Sequence, residues 1–331
     1  MAPSTPAARW PDASGTRPIR TDQTGAALVR AAELSPETDD CARRFVAAAA
    51  AYWRAGLPDR ANALLQMATP LVTGPLPRAD LAYLQGRIER ARGMLTRSYD
   101  LLIGPAVEVA GPDPERAARM LAVAGLAAFD AHDVARLTEA ARRAARLVEV
   151  GRPMPFAITW LLGAAAVLRA EVTVAVPLIA ETIELARRAD RPFELTLAGG
   201  GALFLGDDEA SVGLFARGIA TARRAATPAG LAATLAPAAM LDMWTSRFAA
   251  AAANAAEAIR LAEDTGQPNF AALAVRCWPG CTRCRGGRSG PLSWPSWPWP
   301  IRWSTSSRRV RPSRRGRWGW PSSLPVARRP R

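Results

Sequence analysis

The sequence predicts an all-α fold, an α-solenoid of about six helix-turn-helix repeats with irregular termini. Between Gly25 and Arg276 the chain is rich in Ala, Leu, Arg and Glu, the mixture that favours long helices. It lacks the alternation of β-branched residues that strands need. A related block also recurs along this body every 36 to 40 residues, and periods of that size mark stacked helical arrays.

Each block joins the end of one helix, a small or polar pair, and the start of a second helix. The blocks are AGLPDRANALL from Ala55, RGMLTRSYDLL from Arg92, AHDVARLTEAARRA from Ala131, AEVTVAVPLIAETI from Ala170, GDDEASVGLFARGI from Gly206 and SRFAAAAANAAEAI from Ser246. With Gly56, Gly93, His132, Glu171, Asp207 and Arg247 as equivalent pivots, the steps are 37, 39, 39, 36 and 40. An apolar stripe stands on either side of the pivot, as in Phe45, Tyr52 and Trp53 before it and Leu64, Leu65 and Met67 after it. Breakers then close each unit: Pro70, Gly74, Pro75 and Pro77; Gly111, Pro112 and Pro114; Gly151, Pro153 and Pro155; Pro192; Pro228 and Gly230; Gly266 and Pro268. Proline lacks the amide donor and glycine readily takes positive φ, so both punctuate helices.

One such hairpin cannot bury its own apolar stripe, so neighbours must stack and share a continuous core. Alanine runs at 47–51 and 249–253 let helix backbones approach closely. The tetratricopeptide pattern of Trp, Leu-Gly, Tyr, Ala, Phe and Pro is not reproduced, and the period exceeds the usual 34 or so. The array is therefore tetratricopeptide-like. Uncapped ends of such an array would invite self-association.

Charge divides the chain. The formal net charge is +14, yet residues 277–331 hold thirteen Arg and no carboxylate, leaving thirty Arg against twenty-nine carboxylates, or +1, in residues 1–276. The body is neutral, so the overall basicity does not make the fold a nucleic-acid binder. Every basic residue is Arg and none is Lys, which points to a GC-rich coding sequence. The expected organisation is a disordered segment 1–24, a helical repeat domain 25–276 and a disordered Arg/Trp/Pro-rich tail 277–331.

The first 24 residues hold four Pro and no continuous apolar core of a secretory signal. The longest apolar run, Phe156 to Leu168, is thirteen residues, short of the roughly 20 that cross a bilayer. Four cysteines, three of them crowded at 277, 281 and 284, make no disulfide framework for the body. A soluble cytoplasmic protein without a membrane partner is the expectation.

ALVRAAELSPETDDCARRFVAAAAAYWRAGLPDRANALL at 27–65, LQGRIERARG at 84–93 and SRFAAAAANAAEAIRLAEDTGQPN at 246–269 resemble the helical-repeat region of large ATP-binding regulators of the LuxR family. In that family an N-terminal P-loop ATPase precedes a long tetratricopeptide-like array, and a C-terminal helix-turn-helix binds DNA. The resemblance covers roughly Gly25 to Arg276. It implies a scaffold for protein or effector recognition. Neither chemical module of the family is legible: a Walker A loop requires Lys, and the Arg/Trp/Pro tail stands where later repeats and a DNA reader would follow. No ATPase or DNA-binding residue is carried over.

The tail has its own reading. Trp294 to Pro300 spells Trp-Pro-Ser-Trp-Pro-Trp-Pro, which no helix tolerates. One encoding, shifted by a single base, reads Leu-Ala-Glu-Leu-Ala-Leu-Ala, the kind of segment that builds the body. A shift of reading frame near Arg276 is the expectation that follows. As translated, thirteen Arg interleaved with seven Trp supply guanidinium groups for phosphate and indoles for base stacking, suited to non-specific single-strand contact.

The candidate sites carry little chemistry. Cys277, Cys281 and Cys284 have the spacing of an iron–sulfur triad of radical adenosylmethionine enzymes, but only 47 residues follow, too few for the barrel such a cluster needs. Zinc would require a fourth ligand, and the one histidine, His132, lies far back in the repeats. His132, between Asp130 and Asp133, has no nucleophile beside it and falls at a turn. Asp207, Asp208 and Glu209 stand where a helix begins, which suits capping. Gly199, Gly200 and Gly201 lack phosphate-loop spacing and are expected to loosen or shorten a helix. Trp53, Trp160 and Trp244 fall in apolar helical stretches and are expected in the core. Arg142-Arg143, Arg187-Arg188 and Arg223-Arg224 end second helices, either as solvated partners of the helix dipole or as a concave basic stripe for an acidic partner. No catalytic, cofactor-binding or metal-binding residue is assigned. With a single His and no Lys, an enzyme is not expected.

Overall fold

A computed structural model describes residues 21–148 and 153–277. These residues form fourteen α-helices and one 3-10 turn, and no strand occurs among them. The helices are α1 Thr21–Glu33, α2 Thr38–Arg54, α3 Pro58–Ala68, α4 Pro75–Ala91, α5 Leu95–Glu108, α6 Pro114–Asp130, α7 Val134–Ala145, α8 Phe156–Leu168, α9 Val172–Arg187, α10 Pro192–Phe204, α11 Asp208–Arg224, α12 Pro228–Trp244, α13 Phe248–Asp264 and α14 Pro268–Cys277. They pair as six antiparallel hairpins, α2–α3 through α12–α13, flanked by α1 and α14. This is the tetratricopeptide-like solenoid. Its first helix starts at Thr21, four residues before the Gly25 that the sequence suggested.

Every hairpin turns by the same device. Its first helix ends in a residue with positive φ, at Gly56, Gly93, His132, Ala170, Gly206 and Ser246 in succession. That geometry lets two amides recover carbonyls that the helix end would orphan. In the first repeat Gly56 N–H donates to Trp53 O at 3.0 Å and Leu57 N–H to Tyr52 O at 2.9 Å. In the fourth, Ala170 N–H donates to Val167 O at 3.0 Å and Glu171 N–H to Ala166 O at 2.9 Å. The true pivots of repeats four to six are thus Ala170, Gly206 and Ser246, each one residue before the Glu171, Asp207 and Arg247 chosen from sequence. Side chains other than glycine at these positions carry about 1–2 kcal/mol of left-handed strain. Many of the prolines work as starters rather than stops: Pro58, Pro75, Pro114, Pro192, Pro228 and Pro268 open helices, where the missing amide costs nothing.

Counting from the pivot gives the core. The position seven before it is always small and buried: Ala49, Gly86, Gly125, Gly163, Gly199 and Ala239. The position nine after it is also buried: Leu65, Leu102, Ala141, Ile179, Phe215 and Ala255. In three repeats the second packs directly on the first. A methyl at Gly86 would lie 2.6 Å from Leu102, at Gly163 2.8 Å from Ile179, and at Gly199 2.8 Å from Phe215. In the third repeat both positions are small, Gly125 and Ala141, and Leu161 of the next repeat comes 2.2 Å from where a methyl on Gly125 would stand. Buried hydroxyls add a polar link: Ser98 donates to Gly86 O at 2.8 Å and Ser211 to Gly199 O at 2.7 Å. The Gly199–Gly201 run lies inside α10, which at 13 residues is shorter than the 17-residue first helices α2, α4, α6 and α12. Gly199 and Gly201 are contact points, against Phe215 and Ile179, inside a continuous helix.

The ends of the array meet. One apolar cluster unites Phe45, Trp53, Leu65 and Ile88 from the first two repeats with Leu235, Ile259 and Phe270 from the last. Gly56 approaches Thr265 so closely that a methyl would stand 2.5 Å from its Cγ2, and Gly266 is similarly placed 2.9 Å from Pro58 Cγ. The terminal apolar surfaces expected to invite partners are largely used within the molecule. The first helices also touch two repeats apart: Phe129 of α6 and Phe204 of α10 form an edge-to-face pair, with centroids 6.3 Å apart at 69°.

Candidate interaction surface

Short turns make successive helices antiparallel. All turns inside repeats therefore lie along one edge of the array, and all junctions between repeats along the other. The large apolar side chains exposed among the described residues divide between these edges. On the turn edge are Met94, Val134, Val172, Val174, Trp244 and Phe248; on the junction edge are Leu34, Met67, Leu76, Val107, Val148 and Phe193. None occupies the middle of a helix. Phe248, the first residue of α13, is 62% exposed, and Met94, 52% exposed, stands at the N-cap of α5, where a polar residue is usual. That displaced cap was the sequence signal for this surface, and sequence reasoning passed over it.

At one place the two edges are joined. Asn269 and Phe270, at the start of α14, lie over the C-terminal ends of α4 and α6. The Arg90 guanidinium sits 5.3 Å from the centre of the Phe270 ring, and its Nη2 is 2.8 Å from Asp130 Oδ2. Asn269 lies near the Asp130 carboxyl and favours its ionised form. Burial raises the pKa of Asp130 above the ordinary carboxylate range, and the Arg90 charge offsets this only in part. Asp130 is thus a fastening between repeats. Its neighbour His132 is an exposed turn residue in the left-handed region.

The acidic candidates act as caps. Asp133 accepts from Arg136 N–H at 2.9 Å, and this bond lowers its pKa. Asp207 accepts from Ala210 N–H at 3.0 Å, with Asp208 and Glu209 following in the first turn of α11. No group of three or more His, Cys, Asp or Glu among the described residues could hold a metal ion. Cys281 and Cys284 lie outside the described residues, as do the Trp/Pro run at 294–300 and the thirteen Arg of the tail. Trp53 and Trp160 are buried, whereas Trp244 is exposed on the turn edge, contrary to its expected place in the core.

The arginine pairs form no stripe on the first-helix face. They end second helices on the junction edge, and most have carboxylate partners. Arg142 and Arg143 pair with Glu139, Arg187 with Glu184, Arg223 with Glu257 and Arg224 with Asp190. A cleft between α2 and α4, lined by Ala42, Arg43, Val46, Val72, Pro77 and Asp80, encloses about 120 Å³, well below the ~300 Å³ at which small-molecule sites begin. Asp80 there is held above its ordinary pKa by burial, against the opposing pull of Arg116, 3.3 Å away. No helix among the described residues is long and apolar enough to cross a membrane.

No protein-family profile and no curated protein matches the chain. Among solved structures it is similar to a Rap protein in complex with the competence and sporulation factor, with a TM-score of 0.44 and 11% identity over 76% of this chain and 77% of that one.

Proposed function

We propose that this chain is a non-catalytic helical-repeat scaffold for recognition of a protein or effector, corresponding to the middle segment of a LuxR-type transcriptional regulator. The tandem hairpins support the scaffold reading, because an array of this kind offers extended surface rather than a reaction centre. The charged candidates support it too: Asp133 and Asp207 are occupied as caps and Asp130 as a fastening between repeats. The regulator reading rests on the sequence resemblance at 27–65, 84–93 and 246–269. In this reading residues 25–276 are the repeat domain and 277–331 are the product of a shifted frame. Sequencing the locus tests it. The expected result is an upstream frame encoding a P-loop and, downstream, helical repeats ending in a helix-turn-helix in another frame. Stop codons in every alternative frame after codon 276 would refute it.

The seven Trp and thirteen Arg of the tail favour a second reading, a stand-alone adaptor whose tail contacts nucleic acid without sequence preference. Binding to a single-stranded oligonucleotide that falls steeply with salt, and vanishes on removal of 277–331, is its expected mark.

A further inference from the structure

We propose that the contact between the two ends of the array is a clasp that opens and closes while every hairpin stays folded, with Arg90 as its catch. The bonds on either side define where it parts. Gln267, just before α14, is buried and donates to Ala229 O of α12 at 3.3 Å and to Thr265 Oγ1 at 2.6 Å. These bonds tie the α13–α14 junction to the last hairpin, so the two move as one body. On the other side Arg90 Nη2 of α4 reaches Asp130 Oδ2 of α6 at 2.8 Å, joining the second repeat to the third. Between the bodies the contacts are of another kind: the Thr265 methyl against Gly56, Gly266 against Pro58, and the Phe270 ring over the Arg90 guanidinium. Arg90 is the catch because it serves both sides at once.

The catch is imperfectly satisfied. Arg90 Nε and Asp130 Oδ2 are buried, and neither makes a hydrogen bond within the protein. Charged groups held in this way have lost hydration without full replacement. Parting the bodies returns them to water, which narrows the free-energy gap between the closed and open forms. A narrow gap leaves a minor open state populated, and relative motion is the ordinary behaviour of polar contacts between units of one chain. The clasp thereby sets whether a partner of the scaffold meets a closed array or an open one.

The full chain carries its own reporter. The Thr265 methyl packs at Gly56 and changes surroundings on opening, so methyl relaxation dispersion by NMR reads the exchange on the microsecond-to-millisecond scale. The Thr234 methyl is the control: it lies inside the array, 3.3 Å from where a methyl on Gly218 would stand. The expected result is dispersion at Thr265 and a flat profile at Thr234. Arg90→Ala leaves Asp130 without its partner and Phe270 without its stack, and should raise the open population at least about tenfold. Phe270→Leu removes the stack but keeps an apolar side chain, and moves the population the same way if Arg90→Ala fails to fold. A lock tests the assignment. A Cβ on Gly266 would stand 3.7 Å from Pro58 Cβ, within the span of a disulfide, so oxidised Pro58→Cys/Gly266→Cys should flatten the Thr265 profile and reduction should restore it. Flat Thr265 profiles in the parent chain and both single variants, equal exchange at Thr234, or a Thr265 profile indifferent to the lock overturns the proposal.

Discussion

Replacing Gly125 by alanine tests the packing rule of the repeats at its tightest point. The new Cβ would stand 2.2 Å from Leu161 Cδ1 and 3.3 Å from Leu137 Cδ1. Carbon atoms in good contact are about 3.5–4.0 Å apart, so Leu161 must retreat by more than roughly 1 Å. It has nowhere to go, because both leucines are fully buried in the cluster shared by α6, α7 and α8. Overpacking of this kind costs about 1–3 kcal/mol, whereas exchanging glycine for alanine inside a helix returns about 1 kcal/mol. The net expectation is a loss of about 1 kcal/mol. Gly200→Ala supplies the control, since a methyl there meets nothing within 4 Å and should stabilise by up to about 1 kcal/mol. The two variants should therefore differ by about 2 kcal/mol, or several degrees in Tm for a domain of this size. Urea unfolding followed by far-UV circular dichroism gives the numbers. A double-mutant cycle with Leu161→Ala assigns the clash, because that change should cost less in the Gly125→Ala background than in the parent chain. A Gly125→Ala protein as stable as Gly200→Ala would refute the reasoning.

Other outcomes follow from the turns and the fastening. Ala170→Gly should raise stability by about 1 kcal/mol, since it relieves a φ of 57° in a helix-ending turn; an unchanged unfolding midpoint would contradict that. Asp207→Ala, which removes the oxygen accepting from Ala210 N–H, should cost about 1 kcal/mol and speed amide exchange in the first turn of α11. Asn269 is among the groups that lower the Asp130 pKa, so Asn269→Ala should raise it, read from the carboxyl carbon shift by NMR. The folded-state pKa of Asp130 lies above its unfolded value, so its protonation favours the folded form. Its contribution to stability should grow as pH falls through that pKa and fade as pH rises, opposite to the contribution of Asp133, whose pKa is lowered.

The hairpins were legible where the left-handed residue at the turn is a glycine that stands alone as a pivot, as at Gly56 and Gly93; at Gly206 the acidic run that follows drew the pivot to Asp207. Where Ala170 and Ser246 accept the strain instead, the trace is gone, and the sequence pivot falls one residue late. The Gly199–Gly201 run was half legible: α10 is short, as expected, but the close approach of Phe215 and Ile179 to Gly199 and Gly201 left no trace in the local sequence. The meeting of the ends had no local signal at all. Arg90, Asp130, Asn269 and Phe270 are ordinary in their own segments and combine only because the curvature of the stacked hairpins brings the last helix back onto the first repeats. The apolar edges were half legible, since Met94, Val134 and Val172 are visible at helix starts but their exposure depends on what the array leaves uncovered.

The contact between Gly56 and Thr265 changes how the protein should come apart. In an open array each unit answers only to its neighbours, so terminal units fray independently and folding can begin anywhere. Joining the last unit to the first makes the two ends stabilise one another across some two hundred residues of chain. Loss of either end then releases both, and unfolding gains cooperativity that nearest-neighbour coupling alone would not provide. Such distant pairing also raises contact order, so the ends should dock late in folding, after the central hairpins have formed.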